Sequence, residues 1–133
     1  MLQLKLIRGL PGAGKTTLAR KYVTLQGYVH IEPDQFFYKN GRYAYDSSKR
    51  NEATKWARNQ VYEALLAGRN VVVSDNFIRK SSVEPYRRLA SHLKANLEII
   101  TLKTQFESPH IKNKAMLEQI KSQWEEIPED VQV

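Results

Sequence analysis

No cysteine occurs anywhere in the 133 residues, so the chain has no disulfide framework, no thiolate metal site and no cysteine nucleophile, and a reducing compartment suits it. Nowhere does it approach the roughly 18 consecutive apolar residues that a membrane span needs. Its first ten residues, MLQLKLIRGL, hold a Lys and an Arg but neither the long apolar stretch nor the small-residue cleavage site of a secretory leader. The expectation is a cytoplasmic chain with no membrane partner. Internal repeats and linker-like composition are also missing, and the length is that of one domain. Residues 1–127 read as a single domain, with 128–133 as an acidic, frayed C-terminal tail.

What is present is ordinary for a globular protein in bulk, at 41% hydrophobic and 26% charged residues, but uneven in charge. The formal net charge is +7, yet Glu125, Glu126, Glu129 and Asp130 crowd into the last nine residues. Setting those four aside leaves 10 of the 14 acidic groups facing all 21 basic ones, an excess of 11 over residues 1–124. A basic body favours anionic partners, nucleotide phosphates or a nucleic-acid backbone, or else serves only solubility.

Along the chain, Leu2–Ile7 reads as a buried strand, followed by glycines and then a helix from Lys15 to Gln26 with Gly27 as its C-cap. Tyr28–Glu32 reads as a second strand ended by Pro33. The segment to Asp46 is aromatic and loop-like, with a turn at Asn40-Gly41, and a loop of this length in a compact domain is usually functional. Ala53, Trp56, Ala57, Val61, Ala64 and Leu65 mark one face of a helix over 48–67. Val71, Val72 and Val73 form the unbroken apolar run of a strand covered on both faces. A helix from Val83 to about Lys94, a strand Leu97–Leu102 and a last helix around Ile111–Glu125 complete the pattern. Strands alternating with helices predict a three-layer α/β/α sandwich around an open parallel sheet of about four strands.

Gly9-Leu10-Pro11-Gly12-Ala13-Gly14-Lys15-Thr16 matches GxxxxGK[ST] and lies between a predicted strand and a predicted helix, where phosphate binding requires it. The glycines let backbone N–H groups turn inward around phosphates, and the helix N-terminus adds the positive end of its dipole. Lys15 reaches the β and γ phosphates and Thr16 ligates Mg²⁺. The segment Gly9 to Thr17 therefore binds a nucleoside triphosphate, with ATP and Mg²⁺ as the expected pair.

Two carboxylates follow strands, where ligands bind in open α/β sheets. Asp34 either accepts the proton of an attacking hydroxyl or caps a turn. Asp75 ends the apolar run in the form of a Walker B strand and reads as a metal-side carboxylate, or as one that orients the acceptor. Its neighbour Asn76 either bonds a substrate or shapes the turn. Phe36, Phe37, Tyr38, Tyr43 and Tyr45, interleaved with Lys39 and Arg42, either stack bases beside a backbone-binding surface or seal the loop onto the core. His110, without ligand-spaced partners, reads as a helix-start residue.

In combination, GLPGAGKTTLAR, IEPDQFF, GRYAYD, GRNVVVSDNF and VEPYRRLA resemble the P-loop kinase family that includes the polynucleotide 5′-kinases, among the small AAA-type and zeta-toxin-like P-loop ATP-binding proteins. The resemblance runs in order over residues 4–102. It implies a P-loop NTPase fold and transfer of the ATP γ-phosphate to a 5′-hydroxyl of DNA or RNA. On it, Lys15 and Thr16 bind phosphate and Mg²⁺, Asp34 is the general base on the acceptor hydroxyl and Asp75 organises the acceptor site. Taken with the residue readings above, Gly9, Pro11, Gly12, Ala13, Gly14, Lys15, Thr16 and Thr17 bind nucleotide, Thr16 and Asp75 hold the metal, and Lys15, Asp34 and Asp75 are catalytic. Asp34, Phe37, Lys39, Arg42 and Asn76 flank the acceptor, a single strand or 5′-end of nucleic acid. The Pro85-Tyr86 pair, part of the same pattern, is expected to pack.

This chain departs from the pattern twice. Phage-type polynucleotide kinases carry an arginine three residues after the general base to bind an acceptor phosphate, where this chain has Phe37, so either Lys39 or Arg42 substitutes or the acceptor has no such phosphate. The family's lid arginine is missing too, since 100–124 contains none. Lys112 and Lys114, beside His110, are the cations nearest that role, as point charges without a bidentate fork. The function expected is phosphoryl transfer to a hydroxyl, first that of a polynucleotide. The alternatives are a small-molecule kinase for a nucleoside, nucleotide or sugar, and a nucleotide-dependent binding or regulatory protein without transferase activity.

Overall fold

A computed structural model of the chain describes residues 1–103 and 114–133. In chain order it contains β1 (Gln3–Gly9), α1 (Lys15–Gln26), β2 (Val29–Ile31), β3 (Tyr38–Lys39), β4 (Arg42–Tyr43), α2 (Arg50–Leu66), β5 (Val71–Ser74), α3 (Lys80–Leu93), β6 (Asn96–Leu102), α4 (Lys114–Gln123) and β7 (Val131–Gln132). The main sheet has the order β2-β5-β1-β6-β7, and every neighbouring pair is parallel.

The period of two along the strands divides the core between two faces. Leu4, Leu6, Val71, Val73 and Ile99 face α2 and α3, packing on Ala57, Val61 and Leu65 of the first and Val83, Tyr86 and Ala90 of the second. Ile7, Val72 and Ile100 face the other way, onto Ala19, Leu18 and Tyr22 of α1. Val71, Val72 and Val73 are all 0% exposed, which is why this strand is apolar throughout and not alternating. Helices therefore cover both faces of an open parallel sheet, the layering that the alternating pattern predicted. β1 lies at the centre, so its carboxyl end, where the glycine-rich loop begins, is flanked by the ends of β5 and β6.

The sheet has five strands where about four were expected, and the fifth comes from the tail expected to fray. Val131 and Gln132 pair with Ile100 and Thr101, Val133 N donates to the Thr101 carbonyl, and Lys103 N donates to that of Val133, both at 3.0 Å. The Thr101 hydroxyl donates to Asp130, and Ile127, 2% exposed, plugs the core. Without this segment β6 would leave a row of backbone groups unpaired at an edge, and satisfying them holds the tail in place. Two strand residues flanked by acidic and proline positions carry no periodicity, so nothing local announces them.

The aromatic loop also holds more order than expected. β3 and β4 form a hairpin with Tyr38 opposite Tyr43 and Lys39 opposite Arg42. Its two-residue turn is Asn40 (φ 53°) and Gly41 (φ 75°). Positive φ at both positions matches the right-handed twist of the strands, and Asn-Gly tolerates it best.

Candidate functional site

The loop between β1 and α1 is bent by Gly12 (φ 84°) and Gly14 (φ 93°), with Ala13 N donating to the Leu10 carbonyl at 3.1 Å. A Cβ at Gly9 would stand 3.1 Å from that of Ala13 and 3.4 Å from that of Leu102, so only glycine lets the loop start this close to β6. Pro11 and Gly12 form its outer turn, and Thr17 faces solvent from the first turn of α1. Lys15 folds back across the loop, its Nζ donating to the carbonyls of Gly9 and Leu10, each at 3.0 Å. Burial lowers the pKa of this ammonium group, against the pull of Asp75 and Glu32.

Glu32, at the carboxyl end of β2, belongs to this centre and was not among the expected site residues. Its Oε1 accepts from the Thr16 hydroxyl at 2.6 Å and from the Ser74 hydroxyl at 2.5 Å. His30 Nε2 lies 3.2 Å from the same oxygen and 2.7 Å from Ser74 Oγ. Burial pushes the Glu32 carboxyl up, but the hydrogen bonds from His30, Ser74 and Thr16 outweigh it and hold the pKa at about 2. The available signal was positional: Glu32 directly follows β2 as Asp75 directly follows β5.

Asp75 is set by its backbone N donating to the Ile7 carbonyl of β1 at 3.2 Å, and the backbone N of half-buried Asn76 donates to its Oδ1 at 2.8 Å. Burial raises the Asp75 pKa, opposed by the Asn76 N–H and by the charges of Lys15 and Arg50. Lys15, Thr16, Glu32 and Asp75 thus form one electrostatic cluster. Its donors are hard oxygens, a hydroxyl and two carboxylates, which suit Mg²⁺ completed by water and phosphate oxygens. Among the described residues no group of three or more His, Cys, Asp or Glu stands ready to cage a metal alone.

Asp34 stands apart from that cluster. It lies exposed in the short helical turn Pro33–Phe37 and accepts a hydrogen bond from Tyr43 of the hairpin at 2.6 Å. That bond pushes the tyrosine hydroxyl up to about 12. Phe37 is corrected most sharply. It is 4% exposed, its ring held edge-on by Phe36, Tyr43 and Tyr45, so it seals the loop and offers an acceptor nothing polar. An arginine at this position would be buried without a partner.

Lys39 and Arg42 sit on the exposed hairpin, and neither forms an ion pair among the described residues. They project beside Tyr38, Tyr43 and Tyr45, which are 59%, 48% and 52% exposed. Within the segment 36–49 lies a cavity of about 550 Å³ whose walls include Phe36, Phe37, Lys39, Tyr45, Asp46 and Lys49. A second groove of about 770 Å³ starts at Gly12–Gly14 and Thr17 and runs past Tyr22 to Ile100, Leu102 and Val133. Of the expected lid cations, His110's neighbour Lys112 lies outside the described residues, as does the side chain of Lys114. Lys121 and Lys103 instead line a cleft of about 200 Å³ with Leu10 of the phosphate loop and Trp124.

Comparison with known proteins agrees with this geometry. Residues 4–115 match the AAA domain family. The chain is 37% identical over 94 residues to human NEDD4-binding protein 2, covering 67% of this chain and 5% of that protein. It is 32% identical over 123 residues to a protein of Autographa californica nuclear polyhedrosis virus described as a bifunctional polynucleotide kinase/RNA ligase, covering 79% of this chain and 17% of that one. The chain therefore spans only a small part of the length of these relatives. Among solved structures, an unliganded sugar kinase from Janibacter sp. superposes with a TM-score of 0.69 over 100% of this chain and 84% of its own, at 14% identity, which is a likeness of fold. With the phosphate loop, the parallel sheet and the family match in register, the chain belongs to the AAA domain family and has the fold of a P-loop kinase.

Proposed function

We propose that this chain transfers the γ-phosphate of ATP, with Mg²⁺, to a hydroxyl acceptor, and that the acceptor is the 5′-hydroxyl of a polynucleotide. The observation that carries the acceptor is the hairpin. Three exposed tyrosines and two cations that form no ion pair among the described residues stand beside Asp34, a surface suited to stacking bases and holding a phosphate backbone. The viral relative, described as a polynucleotide kinase/RNA ligase, supports the same reading.

In this reaction Lys15 neutralises charge on the β and γ phosphates, leaving the loop carbonyls it now bonds. Thr16 and Asp75 would hold the metal, and Glu32 accepts a hydrogen bond from the Thr16 hydroxyl, which leaves that oxygen's lone pairs free for a cation. Mg²⁺, when bound, supplies charge neutralisation across the transferring phosphate. Asp34 accepts the proton of the acceptor hydroxyl as that oxygen bonds the γ-phosphorus, and the bond from the γ-phosphorus to the bridging oxygen breaks with its electrons leaving on ADP. The groove beside Thr17 and Tyr22 would take the nucleoside. A cytoplasm provides the MgATP that this chemistry consumes.

One observation favours a smaller acceptor: the cavity of about 550 Å³ at the hairpin base has the size of a small-molecule site. A screen of labelled γ-phosphate transfer over 5′-hydroxyl oligonucleotides, nucleosides, nucleoside monophosphates and sugars decides between the two. Transfer to a nucleoside, monophosphate or sugar with none to oligonucleotides would overturn the polynucleotide reading. ATP binding through Lys15 with no acceptor at all would make this a nucleotide-dependent binding protein.

A further inference from the structure

Arg8 is the last residue of β1 before the phosphate loop, and it is 0% exposed. A guanidinium is among the groups least often buried unpaired, so its bonding has to be accounted for donor by donor. Nε and Nη2 donate to the Phe77 carbonyl at 3.0 and 2.8 Å. Nη2 reaches the Ile78 carbonyl at 3.3 Å and that of Glu125 at 2.7 Å. The planar group lies 3.9 Å from the centre of the Trp124 ring, a cation–π contact. Nη1 has no hydrogen-bond partner among the described residues.

One side chain therefore joins three segments: β1 leading into Gly9, the loop 75–78 that carries Asp75 and Asn76, and the exit of α4 at Trp124 and Glu125. The last two are also laced to each other, Glu125 N donating to the Ile78 carbonyl at 2.9 Å and Lys80 N to Glu125 Oε1 at 2.9 Å. Phe77 has φ 47°, a left-handed conformation that a bulky non-glycine residue rarely adopts. Its ring is buried against Tyr86, and its carbonyl turns onto Arg8. A strained residue and an orphaned buried donor at one junction mark a place where the fold gives up stability to hold a geometry. That junction lies two residues from Asp75. Trp124, on its far side, shares a cleft with Leu10 of the phosphate loop.

We propose that Arg8 is a positioning residue: by holding Phe77 in its left-handed conformation it fixes Asp75, and through Trp124 it ties that carboxylate to the end of α4, so that nucleotide on the loop is sensed at both. Lysine cannot replace it, because a single ammonium lacks the planar fork that serves three carbonyls and stacks on an indole. The inference rests on the kinase reading for its turnover arm only.

The test uses the full chain with Trp56→Phe, which leaves Trp124 as the sole tryptophan, and compares it with Arg8→Met in that background, on protein shown to be folded by near-ultraviolet circular dichroism. MgATP affinity by calorimetry, Trp124 emission on addition of MgATP, and γ-phosphate transfer to a 5′-hydroxyl oligonucleotide are measured together. The expected result is affinity within threefold, loss of the Trp124 response, and kcat at least tenfold lower at unchanged KM for ATP. In an Asp75→Asn background the same substitution should lower kcat less than twofold, since both changes act through one carboxylate. A purely structural role would lower thermal stability and leave this split unmoved. If Arg8→Met does not fold, Arg8→Lys makes the same comparison and is expected to fail in the same way. Independent, multiplying losses overturn the proposal, as does full rescue by lysine, a parent whose Trp124 ignores MgATP, or a Trp124 response that survives loss of the guanidinium. Should the parent phosphorylate no acceptor, the kinase reading falls and the fluorescence comparison decides the role of Arg8 by itself.

Discussion

Replacing Glu32 by glutamine tests the newly found centre of the site on a quantity that needs no substrate. The folded chain holds this carboxyl at about 2, from an ordinary value of 4.5, with burial raising it and the bonds from His30, Ser74 and Thr16 prevailing. The gap between those values corresponds to about 3 kcal/mol at 1.36 kcal/mol per unit. Because the folded value lies below the unfolded one, this stability is fully present above about pH 4.5 and is lost as pH falls through about 2, with a slope approaching 1.4 kcal/mol per pH unit between them. Glutamine keeps an oxygen for the Thr16 and Ser74 hydroxyls but not the charge. Urea unfolding in the presence of a chelator, run on both proteins from pH 7 to pH 3, should show Glu32→Gln about 3 kcal/mol less stable at pH 7, the difference shrinking steadily below pH 4.5. Subtracting the two curves cancels every other carboxylate. A difference that stays constant across that range, or is nil at pH 7, would refute the claim that the charged form of Glu32 is what Thr16 and Ser74 hold.

Lys15→Ala should abolish detectable MgATP binding by calorimetry while leaving the circular dichroism spectrum intact, because it removes the charge aimed at the β and γ phosphates. Asp34→Asn should spare ATP affinity, cut transfer by about 10²–10⁴ and let Tyr43 titrate below its present value of about 12. An unchanged transfer rate would make Asp34 a turn residue. Removing the charges of Lys39 and Arg42 together should weaken oligonucleotide binding and flatten its salt dependence, at about 0.7 in log–log slope per lost phosphate contact on a single strand, with ATP affinity unaffected. Deleting residues 128–133 should lower thermal stability and expose the β6 edge to faster hydrogen exchange at Thr101 and Lys103, whereas unaltered exchange there would contradict the β7 pairing.

The phosphate loop was legible because it is local: eight consecutive residues fix their own turn, and glycines at 12 and 14 are read from their neighbours alone. The same holds for the Val71–Val73 strand, the C-cap at Gly27 and the Asn40-Gly41 turn, each set by the steric preference of a few adjacent residues. The alternation of these elements was enough to imply a parallel sheet with helices on both faces. Where side chains meet across the sheet was not. Thr16, Glu32 and Ser74 come together only because β2 and β5 lie side by side and end at the same level as the loop. Arg8 reaches Phe77 and Glu125 across 69 and 117 residues. Phe37 looked like an acceptor position from its spacing to Asp34, yet the folded hairpin turns it inward among aromatic rings. The tail became a strand only because β6 presented an open edge. Sequence alone thus determined the chemistry of binding phosphate, which needs only neighbouring backbone groups. Tertiary structure decided which carboxylates, cations and rings surround it, because those partners are chosen by sheet order and burial, and neither leaves a mark in the spacing of adjacent residues.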